Sequence, residues 1–284
     1  MAYSFLITWR EGLEAGLIIA IVLAYLGRVG EAGRRRYVWF GAVAALALSV
    51  ALGAALEATA TTLSGRALEA FEGSAMLLAV VILTWMIHWM RRQATTLGSS
   101  LRRQVDAALR GGSTLALAVL AFTAVGREGL ETALFLFAGS GREDALAYWL
   151  GALGGLGFAA ALAALFYAGS GRLRLAIFFN VTGALLVVLA AGLLVNGLKE
   201  LHEVGAVPDL GPHVWDTYEL LPDNSQAGRL AATLLGYDSS PYLGLVVAYV
   251  AYLTTAFGLF FAGRGGAPQS SPAAGAAPAR EAAS

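Results

Sequence analysis

Seven apolar stretches, residues 3–26, 38–60, 67–90, 113–138, 145–167, 173–196 and 241–262, divide this chain of 284 residues. At 1.5 Å of rise per residue, each is long enough as a helix to cross a hydrocarbon layer of roughly 30 Å. Lipid offers backbone N–H and C=O groups no partners, so segments of this kind must close their hydrogen bonds internally, as helices do. The spacing therefore predicts an all-α polytopic membrane protein with seven transmembrane helices. Composition agrees: 58% of residues are hydrophobic and 13% charged, against about 45–50% and 25% in soluble domains.

Several functions are excluded early. The formal net charge is zero and most charges lie in short stretches between the apolar runs, so nucleic acid is not an expected partner. The absence of cysteine removes disulfides, thiolate metal sites and redox thiols. The single lysine, Lys199, follows no glycine-rich phosphate loop, which removes an ATP-driven pump of the Walker type. No Ser-His or His-Glu-x-x-His constellation lies in a span, so the chain is not expected to be an enzyme. The first apolar run carries Arg10, Glu11 and Glu14 and no small-residue cleavage site follows it. It reads as a retained helix rather than a signal peptide.

Orientation follows from the basic residues. Arg28, Arg34, Arg35, Arg36, the five arginines between Arg91 and Arg110, Arg172, Arg174 and Arg264 fall on one side, and Arg66, Arg142, Lys199 and Arg229 on the other. The positive-inside rule puts the N-terminus outside and the C-terminus in the cytoplasm of a plasma or inner membrane. Trp39, Trp85 and Trp89 then fall near the inner interface, and Tyr3, Tyr148 and Trp149 near the outer one, as aromatic belts do. His88, between two of these tryptophans, reads as an interface residue.

The chain also repeats itself. Arg10-Glu11-Gly12-Leu13-Glu14 recurs as Arg127-Glu128-Gly129-Leu130-Glu131, Trp39-Phe40-Gly41-Ala42 as Trp149-Leu150-Gly151-Ala152, and Phe71-Glu72 as Phe179-Asn180, in the same order. Each unit holds an odd number of spans, which predicts two inverted three-helix repeats plus a seventh helix. The domain is expected over 1–262, with repeat one at about 1–92, repeat two at about 113–196, an extracytoplasmic loop at 197–240 and the last span at 241–262. Residues 263–284, rich in Ala, Gly, Pro and Ser, read as a disordered cytoplasmic tail. Gly41 with Ala45 and Gly151 with Gly155 are small-xxx-small pairs that allow close helix approach, within one bundle or between copies.

The chemistry sits in the two pentapeptides. At 100° per residue, Arg10, Glu11 and Glu14 share an arc of roughly 100° on one helix face, and the second motif repeats this. Six such groups facing lipid would cost on the order of 15–20 kcal/mol, so they must face protein or a water-filled path. The two motifs fall at similar depth on antiparallel helices and can face each other. Two arginines can neutralise two of the four carboxylates. The remaining two negative charges call for a cation, because an unpaired buried carboxylate is expensive. The competing explanation, that each Arg and Glu only pins two helices together, leaves those two charges over. Carboxylates without sulfur or imidazole suit hard ions, and Glu-x-x-Glu in place of Glu-x-x-His argues against a di-iron oxidase centre.

Glu11, Glu14, Glu128 and Glu131 are thus candidate metal ligands, with Arg10 and Arg127 balancing their charge. Glu72, near the outer end of the third span, is a further candidate, with Glu57 and Glu69 toward an outer funnel. Asn180 could offer an amide oxygen or simply bond a neighbouring helix. The acids of the 197–240 connection, Glu200, Glu203, Asp209, Asp216, Glu219, Asp223 and Asp238, could raise the local cation concentration outside or form an ordinary solvated loop.

With both R-E-G-L-E motifs, Phe71-Glu72-Gly73 opening the third span, Gly228-Arg229-Leu230 and Leu235-Gly236-Tyr237, the chain resembles the high-affinity iron permease family. That family comprises the oxidase-dependent iron transporters of fungi and the Efe-system ferrous-iron permeases of bacteria. The resemblance covers roughly residues 1–262. It implies an iron transporter whose R-E-x-x-E glutamates take the ion as cargo, with no permanently bound cofactor. It also implies partners: a separate oxidase or periplasmic iron-binding protein that delivers the ion. The expected mechanism is exchange of water for carboxylate oxygens, swinging of the arginines as the ion arrives and leaves, and rocking of one repeat against the other. Transport of another cation such as lead or manganese, and a non-transporting membrane subunit, stay open as alternatives.

Overall fold

The computed structural model describes residues 1–93, 97–111, 114–140, 144–168 and 175–262. The expected tail at 263–284 lies outside these, as do Arg142, Arg172, Arg174 and Arg264; the side chains of Arg91, Arg92 and Phe179 are likewise not described. Nine α-helices carry the described residues: α1 (Ala2–Arg28), α2 (Arg35–Thr62), α3 (Arg66–Gln93), α4 (Leu97–Arg110), α5 (Thr114–Gly139), α6 (Ala145–Tyr167), α7 (Leu175–Glu203), α8 (Gln226–Leu235) and α9 (Leu243–Ala262). Among the described residues no strand forms beyond an isolated bridge between His213 and Tyr242. The chain is a multi-pass membrane protein: five helical segments, 32–62, 66–89, 145–167, 180–203 and 243–262, are long and apolar enough to cross a bilayer. Helices α1 and α5 are of comparable length, at 27 and 26 residues, but each carries three charged motif residues near its middle.

The packing explains how those charges are accommodated. Helix α1 packs most closely on α6, α2 on α5, and α3 on α7. Small residues make the first two seams. A side chain at Gly151 would strike Met1 and Ser4, one at Gly155 would strike Thr8 and Phe5, and Gly12 and Gly16 face Ala159 and Ala163. The α2–α5 seam repeats this residue for residue: Gly41 lies against Ala118 and Phe122, Ala45 against Gly126, Ser49 against Gly129, and Gly53 against Ala133. Numbers rise together along both seams, so α1 runs parallel to α6 and α2 parallel to α5. Helices α1 and α5 are antiparallel, since the Tyr3 ring lies against Gly139 and its hydroxyl donates to Phe135 O at 2.9 Å. Helices α3 and α7 are antiparallel too, with Gly73 against Gly197 and Ile87 near Gly183.

Hydroxyls bond across the α1–α6 seam, Ser4 to Tyr148 O and Thr8 to Ala152 O, each at 2.8 Å. In an apolar surrounding, close van der Waals contact and interhelical bonds of this kind are what drive association. Outward faces remain apolar and exposed, among them Phe40 and Val43 on α2, Leu146 and Leu153 on α6, and Val247 and Val250 on α9. That is the surface lipid requires.

Two helices lie in the connections. Helix α4 covers one end of the α1–α2–α5 cluster with Leu101 and Val105 buried, while Arg102 and Arg103 stay exposed; Tyr25 Oη donates to its Asp106 at 2.6 Å. Helix α8 is capped by Ser225 Oγ, which accepts from Gly228 N at 2.9 Å, and ends at Gly236 with φ of 70°. This left-handed residue abuts Gly192 of α7, a contact that any Cβ would obstruct. The long connection is folded down rather than loose. Asp238 accepts from Lys199 Nζ at 2.7 Å and from Ser240 N at 2.9 Å, and Asp223 accepts from the amide and hydroxyl of Ser239.

Two outcomes test this packing. Gly155→Leu forces a side chain into α1 and should lower stability in detergent by about 3 kcal/mol. Gly157→Leu, on the open side of the same helix, should leave thermal unfolding unchanged within about 0.5 kcal/mol. Burial alone would push the Asp238 carboxyl up, but the Lys199 ammonium and the Ser240 amide hold it below its ordinary value. A lowered folded value means its contribution is complete above the ordinary range, about pH 4, and is lost as pH falls through the lowered one. Protection of the amides in residues 204–242, relative to their intrinsic exchange at the same pH, should therefore fall below about pH 4, and Asp238→Asn should show that loss of protection already at pH 7.

Candidate metal site

The antiparallel crossing of α1 and α5 brings the two pentapeptides together. Arg10, Glu11, Glu14, Glu128 and Glu131 are all buried, none more than 8% exposed. Carboxylate oxygens of Glu11, Glu128 and Glu131 lie within 4.8 Å of one another. Oxygens on opposite sides of a small hard ion, bound at about 2.1 Å each, stand about 4.2 Å apart. Side-chain adjustments of a few tenths of an ångström would close these three around one. Glu11 Oε2, Glu128 Oε2 and Glu131 Oε2 have no hydrogen-bond partner. Buried polar atoms are almost always paired, so these oxygens are the ones able to accept from a donor or ligate a cation.

The two arginines are held differently. Arg10 is clamped on its own helix turn, Nη1 at 2.5 Å from Glu11 Oε1 and Nη2 at 2.9 Å from Glu14 Oε1, and Nη1 also lies 3.3 Å from Met86 Sδ of α3. Arg127 reaches Glu131 Oε1 with Nε at 3.0 Å but stands 4.0 Å from Glu128 Oε1. Its guanidinium lies over the Trp89 ring, 4.1 Å from the centroid, with Trp85 at 5.7 Å. The Arg10 side chain is 3% exposed and that of Arg127 28%.

The other sequence candidates stand apart from the convergent trio. Glu14 is bound to Arg10. Glu72 is half-buried on α3, where its neighbour Phe71 packs on Phe137 of α5 with ring centroids 5.4 Å apart. Glu69 is half-buried in the first turn of α3 and Glu57 is exposed on α2. Asn180 is half-buried and His88 exposed. Four acids of the 197–240 connection hold it together: Asp209 and Asp216 accept from Gly211 N and Tyr218 N, and Asp223 and Asp238 bond as above. A cavity of about 250 Å³ there is bordered by Lys199 and Arg229 as well as Asp223 and Asp238, a mixed lining that favours neither sign of charge.

Met86, Trp85 and Trp89 touch the motif arginines and were not singled out as site residues from the sequence. Their spacing along α3 puts them on adjoining positions of successive turns, which hydropathy alone assigns to packing or to an aromatic belt.

The chain matches the Iron permease FTR1 family over residues 1–264. Ferrous iron permease EfeU of Escherichia coli O6:K15:H31 (strain 536) is 36% identical over 262 residues, 92% of this chain and 95% of that protein. Ferrous iron permease EfeU of Yersinia pestis is 34% identical over 263 residues, 92% and 93% of the two chains. A relative from Escherichia coli K12, also 36% identical over 262 residues, carries the word inactive in its name, so likeness at this level marks descent rather than activity. No solved structure matches the chain. With the match running over nearly its whole length, this chain belongs to the Iron permease FTR1 family, a family of membrane permeases and not of enzymes.

Proposed function

We propose that the chain imports iron across the plasma or inner membrane through the trio Glu11, Glu128 and Glu131. The convergence of these three carboxylates from two antiparallel motifs, with three of their oxygens unsatisfied, carries the reading. Oxygen-only ligands suit ferrous or ferric iron better than soft ions, and the relatives named as ferrous iron permeases point to the same cargo. Glu14 belongs to the site through its charge and its tie to Arg10, and Glu72 lies on the approach from outside, with Glu69 and Glu57 nearer the mouth.

In this reading the seven long helices all cross the bilayer, with the N-terminus outside and the C-terminus in the cytoplasm. Units α1–α3 and α5–α7 form inverted repeats, a relation supported by the antiparallel α1 and α5 and by the matched seams of α1–α6 and α2–α5. The ion sheds water for carboxylate oxygens at the boundary of the repeats, and a relative movement of α1 and α5 changes the side from which it is reached. A separate oxidase or periplasmic iron-binding protein delivers the ion.

Glu11→Ala and Glu128→Ala should each reduce radioactive iron uptake into cells or liposomes to background while the protein remains at normal levels in the membrane; normal uptake by both would defeat the reading. Stability offers a second check, because Arg10 already holds Glu14 while Glu128 has no such close partner. Glu128→Gln should raise the stability of the metal-free protein, by about 1–2 kcal/mol, since it removes a buried carboxyl that has no close counter-charge. Glu14→Gln should lower it. If Glu128→Gln destabilises as Glu14→Gln does, the glutamates are helix pins and not an ion site.

A further inference from the structure

The two halves of the site match in sequence but not in what surrounds their arginines. Arg10 is enclosed by two carboxylates and a thioether. Arg127 has one close carboxylate, Glu131, and spends its flat face on Trp89. Trp85 and Trp89 are themselves stacked, with ring centroids 6.0 Å apart and planes at 17°, so the seat is a pair of indoles on successive turns of α3. The duplicated unit has no counterpart. Aligning Glu72 with Asn180 puts Leu193 and Gly197 of α7 where Trp85 and Trp89 stand in α3. On the α3 side, Arg127 therefore has an aromatic alternative to the glutamates that the aligned positions of α7 do not offer.

From this we infer that Trp89, backed by Trp85, is a positioning residue for transport: it seats Arg127 away from Glu128 and so keeps Glu128 free for the ion. Arg10 is held by its own pair of glutamates and Arg127 by one glutamate and the indole. The inference rests on the metal-site reading above. A guanidinium in a low-dielectric space is drawn strongly to any nearby carboxylate, and Glu128 Oε1 is 4.0 Å from Arg127 Nε. Without a competing attraction Arg127 would bridge Glu128 and Glu131, as Arg10 bridges Glu11 and Glu14, and the ion would have to displace it. A desolvated cation–π contact, strongest with Trp, supplies that competition. It is also independent of the ion, so the seat persists when the ion leaves.

The test is isothermal titration of anaerobic ferrous ion into the purified native protein and into variants at Trp89, Arg127 and Glu128. Trp89→Leu, which keeps an apolar side chain without a π face, should weaken binding about 5–30-fold, the equivalent of about 1–2 kcal/mol. Trp89→Phe should fall between Trp89→Leu and the native protein. In an Arg127→Gln background, where nothing needs seating, Trp89→Leu should change affinity less than twofold, a coupling that mere packing would not produce. Should Trp89→Leu not fold, the Trp89→Phe loss and its disappearance in the Arg127→Gln background carry the same test. Unchanged affinity in the Trp89 variants, or an equal loss with and without Arg127, overturns the inference while leaving the metal site standing. Ferrous binding that survives Glu128→Gln undiminished removes both.

Discussion

Charge in a medium without water governs this structure. Six ionisable side chains sit at mid-length of two helices that otherwise have the composition of lipid-crossing segments, and exposing them to hydrocarbon would cost more than a domain's whole stability. Antiparallel contact between α1 and α5 answers that constraint, since it lets the two motif faces cover each other. The glycine and alanine seams follow from it. For the motif faces to meet, the opposite faces of α1 and α5 need partners that come close enough to exclude lipid, and α6 and α2 do so by presenting Gly151, Gly155, Gly41 and Ala45.

Much of this was legible in the sequence because it depends on period and charge. The apolar stretches coincide with long helices to within a few residues, apart from α7, which continues past the expected end at 196 to Glu203. The shared face of Arg10, Glu11 and Glu14 follows from helical geometry, and the meeting of the two motifs follows from their matched depth. Composition alone marks five segments as long and apolar enough to cross a bilayer; α1 and α5, which carry the charged motifs, are not among them.

What was not legible depends on which third helix comes near. Nothing in the hydropathy of α3 tells that Met86 meets Arg10 or that Trp89 meets Arg127; that is fixed by how α3 leans on α5, a tertiary matter. Helix α4 was hidden among arginines, although Val105, Ala108 and Leu109 recur at helical spacing and pack against residues of α1 and α5. The 197–240 connection looked like a store of free acids. Its aspartates are largely committed to turn amides and to Lys199, because a long backbone lying over a protein surface needs those bonds. The likeness of the two motifs likewise concealed the unlike settings of Arg10 and Arg127.

Each tightest pair, α1 with α6 and α2 with α5, draws one member from each half, so neither half contains its own best interface. Severing the chain between α3 and α5 would therefore part both seams at once, leaving on each side glycine-lined grooves that only the other side fills.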